Sequence, residues 1–514
     1  MWLAHTFASN ACNAGSRVAL KEGNRAVTYQ ELNQRTDALL AYLQSIGIKQ
    51  GERVAVLSKN SIEVIETYVT CYKSGLIYVP VNYRLPFDKL EYILSDCDAS
   101  VLVVSPEFAE FARTCAHRSN LKTIIMTKQS VQDLAFYDDL VALQPADSVV
   151  VEVSDVTPAA IIYTSGTTGL PKGVILSHRA LLEAAKIYML ELGIEPKDRT
   201  LNIMPLFHSG GNAWTLAHLC RGATGVVMPD FEAKEVLKVM TSERITTVHL
   251  VPTMIAMLLE EEQIDSCDWS LLKVILYAGS PMPQTVLKKA MGVFGAAKLA
   301  QAYGQTEHAP TISYLTREEH VLAMQDAADE KTKGLLKSCG RPIFNVSVRI
   351  MKDGQEVPRG EVGEITAQGE SIMIGYWRKP DLTAAKLVDG WLHTGDLGKM
   401  DEDGYIYLLD RKEDMIITGG ENVFPTEVEG VIYEHPAVHE VAVIGEHDEM
   451  WGERVAAVVL LRKGFLLTEE ELLDWLRPRI QGYARPRCVY FVETLLPKSG
   501  AGKVLRKEVK ILIS

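Results

Sequence analysis

Between residues 28 and 100, short aliphatic and β-branched runs alternate with longer stretches whose apolar residues recur at helical spacing. Arg53–Leu57, Ile77–Val81 and Ser100–Val104 read as strands. Tyr29–Leu32 and Ser61–Val64 open helices, the first placing Leu32, Leu39, Leu40 and Leu43 on one face. The alternation returns over 198–320, with Val226–Met228, Thr247–Val251 and Leu272–Tyr277 as strands. Strands separated by helices pair in parallel, and parallel sheets need cover on both faces. The chain is therefore expected to be α/β, built from stacked α/β layers. At 514 residues it is too long for one hydrophobic core. From about 346 short strands and turns take over, such as Val348–Met351 before Lys352-Asp353-Gly354, which predicts a small β region. Residues 410–514 carry their own apolar runs, Val441–Ile444 and Val455–Val459. They are expected to form a smaller α+β domain following an N-terminal domain of 1–409.

Composition narrows the partners. A formal charge of −13 argues against nucleic acid, because phosphate contacts need a basic face. No run approaches the roughly 20 apolar residues of a membrane span, and Met1-Trp2-Leu3-Ala4-His5 lacks the basic and apolar regions of a signal peptide. The eight cysteines are scattered without a C-x-x-C pair, and no H-E-x-x-H occurs. That spacing fits a reducing cytoplasm and offers no metal site made by protein ligands alone.

One stretch departs from the apolar pattern. Residues 163–174 read Y-T-S-G-T-T-G-L-P-K-G-V, between strand-like Ala159–Tyr163 and strand-like Val174–Leu176. Such a loop can be a plain hairpin. It can equally be a cradle of backbone N–H groups and hydroxyls around a polyanion, with Lys172 supplying charge. It is not a Walker A loop, because G-x-x-x-x-G-K-[ST] cannot be aligned to it.

Ser165-Gly166-Thr167-Thr168-Gly169-Leu170-Pro171-Lys172-Gly173 resembles the phosphate loop of the adenylate-forming superfamily, which includes acyl-CoA synthetases, peptide-synthetase adenylation domains and firefly luciferase. Four more segments resemble that family in order. In Gln301-Ala302-Tyr303-Gly304-Gln305-Thr306-Glu307 the resemblance implies that Tyr303 stacks on adenine, Thr306 contacts the α-phosphate and Glu307 helps to hold Mg²⁺. A hard cation bridging phosphates takes oxygen ligands, which agrees with a carboxylate there. Trp391-Leu392-His393-Thr394-Gly395-Asp396 resembles W-x-x-T-G-D, whose aspartate accepts from both ribose hydroxyls. Arg411 is implied to reach the ribose, Glu413 stands at the hinge where the family usually has Asp or Lys, and Gly419-Gly420 form the glycine loop that follows. Pro497-Lys498-Ser499-Gly500-Ala501-Gly502-Lys503 resembles the loop carrying the adenylation lysine, here Lys503. Thr164, Ser165, Gly166, Thr167, Thr168, Gly169 and Lys172 would hold the ATP phosphates, and Ala278-Gly279-Ser280-Pro281 would pass beside adenine and the acyl pocket. The resemblance further implies a C-terminal domain that moves between an adenylating and a thioester-forming pose.

Met204-Pro205-Leu206-Phe207-His208-Ser209-Gly210-Gly211-Asn212 occupies the place of the family's carboxylate pocket. Amino-acid-activating members usually carry an aspartate at the His208 position, to pair with the substrate ammonium. His208 therefore favours an acid without an α-amine, since a buried ammonium needs a partner. Small residues at 210, 211, 302 and 304 are expected to leave room for the acid, whether a fatty chain or an aromatic ring. The region 477–510 holds nine Lys and Arg residues against Glu493 and Glu508, a basic stretch suited to CoA phosphates, to an acidic carrier protein, or to a solvated helix face. The expectation is an AMP-forming carboxylate–CoA ligase using ATP, CoA and Mg²⁺. Loading of a carrier protein, luciferase-like oxidation and non-enzymatic nucleotide binding are the rivals.

Overall fold

The computed structural model describes residues 2–116, 120–142, 151–164, 170–498 and 504–513. Two large sheets dominate. One has eight strands in the order Gly375–Tyr376, Lys172–Ser177, Pro158–Thr164, Ile77–Pro80, Arg53–Leu57, Ala99–Val104, Thr123–Met126 and Ala135–Phe136. The other has nine: Arg341–Pro342, Ser313–Leu315, Leu299–Tyr303, Val274–Tyr277, Thr247–Leu250, Arg199–Asn202, Thr224–Val227, Val18–Glu22 and Arg25–Thr28. The sheet interiors are parallel; antiparallel strands close both edges of the nine-stranded sheet and the Gly375–Tyr376 edge of the other, whose Ala135–Phe136 edge pairs in parallel.

The strands buried on both faces are those with unbroken apolar runs, as parallel pairing requires. One core joins the inner faces of both sheets to helices Tyr29–Ser45, Ile62–Ser74, His178–Leu192 and Ser209–Arg221. Helices Ala233–Ser242, Pro252–Leu259 and Gln284–Phe294 cover the outer face of the nine-stranded sheet, and Phe87–Asp96 and Ala109–Ala116 that of the other. The Thr28–Leu32 segment has a local reason: Thr28 and Glu31 form a reciprocal capping box that starts the second helix, whose Leu32, Leu39, Leu40 and Leu43 are buried.

The predicted β region is a six-stranded antiparallel sheet from Val346 to Arg411. Last comes a five-stranded sheet, Ile416 to Val492, with its own core under helices Pro425–Ile432 and Glu469–Leu476. The chain is thus a large N-terminal domain of parallel and mixed sheets with a smaller C-terminal one. A division at 409/410 lands inside strand Ile406–Arg411, because Asp396 pairs with Arg411 across the sheet. No helix among the described residues is long and apolar enough to cross a membrane.

Candidate active site

Ligands of parallel α/β sheets collect beyond the carboxyl ends of the strands. The segments singled out in the sequence lie there. Ala278-Gly279-Ser280 follows strand Val274–Tyr277, Gly304–Glu307 follows Leu299–Tyr303, and Met204–His208 follows Arg199–Asn202. The glycine-rich loop joins antiparallel strands with Thr164 opposite Lys172. The hairpin reading therefore holds for its flanks, while Ser165, Gly166, Thr167, Thr168 and Gly169 lie outside the described residues.

Two polar groups are assembled around this rim. In the first, Lys172 Nζ donates to Tyr376 Oη at 3.0 Å and stands 3.4 Å from Glu307 Oε1. Tyr376 donates to the same carboxylate oxygen at 2.7 Å. Burial, then the Glu307 charge, raises the Tyr376 phenol well above its ordinary value, so it remains a donor. Edge strand Gly375–Tyr376 delivers this tyrosine by pairing with Val174 and Ile175. Thr306, next to Glu307, lies 3.1 Å from Ser209 across their hydroxyls.

The second group is Tyr303, Asp396 and Arg411. Tyr303 donates to Asp396 Oδ2 at 2.8 Å, and Arg411 Nε faces Oδ1 at 3.3 Å. Asp396 sits on a β-bulge: the register against strand Gly363–Gly369 jumps from Glu364↔Leu397 to Thr366↔His393. Gly395 has φ +80° and donates to Glu364, while Thr394 bonds Ile365 O at 2.6 Å, fixing the bulge. Lys386 was not identified in the sequence. Its ammonium donates to His393 O at 3.0 Å and feels Glu364, Lys172, Glu307 and Asp396. Burial lowers its pKa.

Other residues meet different neighbours. His208 stands at the N-cap position of helix Ser209–Arg221 without a side-chain capping bond, its ring centroid 4.4 Å from that of Phe207. Ala302 is buried in the main core and Ala278 packs against it. Two of the small residues expected to leave room meet backbone where a side chain would stand. A Cβ on Gly211 would lie 2.5 Å from Pro205 O, and one on Gly304 2.0 Å from Pro310 O. In the direction a side chain would take, those glycines admit neighbouring backbone. Gly304→Ala should therefore destabilise the fold by about 1–3 kcal/mol, the cost of overpacking, seen as a lower thermal midpoint without ligand. An unchanged midpoint would refute this packing role. A Cβ on Gly210 would meet His249 Cε1 at 3.0 Å, and Gly279 has φ +90°.

Glu413 stands in a turn 3.9 Å from Arg411 Nη1. Gly419 and Gly420 form the tight end of a hairpin, with Gly419 N–H donating to Trp451 O at 2.8 Å. Lys503 lies outside the described residues, but Lys498 and Val504 on either side of its loop form an antiparallel bridge. Within the basic stretch, Lys498 is engaged by Glu440, and Arg506 by Glu429, Asp414 and Asp410. Arg477, Arg479 and Arg487 remain exposed.

The residues suit a nucleotide and its metal. Thr164 Oγ1 and Gln305 Nε2 are buried without hydrogen-bond partners, and Glu307 offers one buried carboxylate. One or two protein carboxylates completed by phosphates and water is the habit of Mg²⁺.

The AMP-binding enzyme family model matches residues 7–377, and that of the AMP-binding enzyme C-terminal domain matches residues 427–503. The chain belongs to this family. Similar proteins include a feruloyl-CoA synthase from Amycolatopsis sp, 37% identical and covering 96% of this chain and 95% of its own. The fatty acid–[acyl-carrier-protein] ligase ScoC from Streptomyces coeruleorubidus is 34% identical, covering 95% and 91%. Among solved structures, o-succinylbenzoate CoA synthetase from Bacillus subtilis, in complex with its acyl-adenylate, superposes with TM-score 0.85 at 30% identity, covering 98% and 97%. This protein is an ATP-dependent, AMP-forming carboxylate–CoA ligase that uses Mg²⁺.

Proposed function

We propose that the acid is an aryl carboxylic acid and that the two polar groups divide the work of activating it. The observation that carries this division is their placement together on one rim, Lys172–Tyr376–Glu307 and Tyr303–Asp396–Arg411. The aryl assignment is supported by the feruloyl and o-succinylbenzoate relatives. ScoC favours a second reading, a fatty acid delivered to a carrier protein.

In the first half-reaction Lys172 and the hydroxyls of Thr164, Ser165, Thr167 and Thr168 hold the β- and γ-phosphates, with Gly166 and Gly169 allowing close backbone approach. Glu307 would hold Mg²⁺, which would supply charge neutralisation at the phosphates. Asp396, oriented by Tyr303, accepts from the ribose hydroxyls, with Arg411 beside it. The Tyr303 ring, Gly279, Ser280, Ala302 and Gly304 flank adenine. An oxygen of the substrate carboxylate attacks the α-phosphorus and the bond to pyrophosphate breaks. Thr306 and Lys503 stabilise the charge that develops there.

In the second half-reaction the CoA thiolate attacks the acyl carbon and AMP leaves, the thiol proton passing to solvent. His208, with Ala278, Gly210 and Gly211, bounds the acyl side. The C-terminal domain turns at 411–414, about Glu413, and brings Gly419-Gly420 to the pantetheine arm, while exposed arginines of 477–487 meet the CoA phosphates. We place the enzyme in the cytoplasm, in keeping with eight cysteines that are all thiols.

Lys386 anchors the Asp396 segment through His393. Lys386→Met is expected to raise the KM for ATP about tenfold, the scale of one charge-assisted hydrogen bond, with little change in KM for the acid. Equal rises in both would remove it from the nucleotide side. The proposal as a whole is tested by mass spectrometry of products from ATP, Mg²⁺ and a panel of aryl and fatty acids, with and without CoA. An aryl-CoA thioester supports it. A fatty-acyl thioester overturns the aryl assignment, and an adenylate that persists despite CoA points to a carrier protein.

A further inference from the structure

A histidine inside a parallel strand is out of character, because such strands are buried on both faces. His249 lies in strand Thr247–Leu250, paired with Leu276 of the next strand, and is 3% exposed. Its neighbours Val248 and Leu250 join the core on the outer face of the sheet. Alternation therefore turns the imidazole to the inner face. There it meets the start of helix Ser209–Arg221, with Cε1 3.0 Å from where a Gly210 Cβ would stand and its ring centroid 5.7 Å from that of Trp214. Neither Nδ1 nor Nε2 makes a hydrogen bond of ordinary geometry, and among the described residues the Gly210 backbone is the one polar group that bears on the ring, too poorly aligned to satisfy both nitrogens.

His218, also packed on Trp214, supplies the contrast. Both of its nitrogens are paired, with Trp214 O at 2.8 Å and Thr247 Oγ1 at 2.9 Å. Leaving a buried polar group unpaired is destabilising, and Val or Ile would fill His249's strand position without that penalty. Burial holds the His249 pKa down to about 4, so the ring is neutral near pH 7. A neutral imidazole has one donor and one acceptor nitrogen. A hydroxyl can answer either, and a carbonyl can take the donor.

We propose that His249 forms the floor of the acyl pocket behind Gly210 and reads an uncharged hydroxyl or carbonyl on the body of the acid. This rests on the carboxylate-ligase reading and on Gly210 bordering the acid. It narrows the substrate from any aryl acid to one bearing a neutral hydrogen-bonding substituent. A plain hydrocarbon body would cover the imidazole without pairing it, and sites built to pair a substrate group discriminate against analogues that lack it.

The test uses matched acids, 4-hydroxycinnamate with cinnamate, 4-hydroxybenzoate with benzoate, and ω-hydroxydecanoate with decanoate. Each is assayed with ATP, Mg²⁺ and CoA on the full chain and on His249→Leu and His249→Gln. The expected result is a kcat/KM preference of about tenfold or more for the hydroxylated member of at least one pair. Leu should abolish that preference and Gln partly restore it, read as the ratio of the two members of each pair within one variant. Equal ratios in the original chain and the Leu variant overturn the proposal. A second measurement is independent of turnover and of variant folding: ¹⁵N signals of the histidine rings in the unaltered protein, titrated with the same acids. The His249 signals should move with a hydroxylated acid and not with its plain partner. If no acid is adenylated, the ligase reading has failed; His249 signals that no acid moves overturn this inference in either case.

Discussion

Lys503→Ala is expected to lower acyl-adenylate formation by about 10²–10³, the scale for losing one preorganised charge contact in a transition state. It should leave thioester formation from a supplied acyl-adenylate and CoA close to the original rate. The asymmetry follows from charge. Adenylation crowds negative charge around the α-phosphorus, whereas thioester formation proceeds at the acyl carbon after pyrophosphate has gone. The measurement is ATP–pyrophosphate exchange beside a single-turnover thioester assay. Equal losses in both half-reactions would show that the lysine acts through folding or domain placement.

Glu307→Gln should cost about 10² or more in the same exchange assay and move Mg²⁺ activation to higher concentration. The change is nearly isosteric, and the amide oxygen can still accept from Tyr376. What disappears is the negative charge 3.4 Å from Lys172. Glu307→Asp retains the charge and should recover part of the rate. An unaltered Mg²⁺ activation curve in the Gln variant would falsify the metal-holding role. Tyr376→Phe, which leaves the carboxylate in place but removes its donor, should fall between the original and the Gln variant.

The α/β layering was legible because each strand and helix announces its own period over a few residues. Val54, Val79 and Leu102 are buried in one sheet for reasons visible locally. Asp396 and Glu307 stood out through motifs that resemble the family's, with residue types that would suit a diol and a cation. Tyr376 was not, because nothing near Gly375-Tyr376-Trp377 says that a two-residue strand will pair beside Lys172. Lys386 was hidden similarly: its partner is a backbone carbonyl, His393 O, and two of its charged neighbours, Lys172 and Glu307, are distant in sequence. The backbone contacts of Gly211 and Gly304 were not legible, because a glycine that admits a ligand and one that admits a carbonyl look alike until the backbone is traced. His249 was passed over as one more residue of an apolar strand. Only pairing its nitrogens with their surroundings distinguishes it from His218.

Lys172 and Tyr376 touch across 204 residues of sequence. A ribosome that has made the glycine-rich loop has therefore not yet made the tyrosine that steadies its lysine, nor the bulge that presents Asp396. Nucleotide affinity should arrive late in synthesis, after most of the large domain has emerged and closed its sheet edge. Chains cut short before Tyr376 are then expected to retain ATP poorly, because the long closure that completes this edge has not formed.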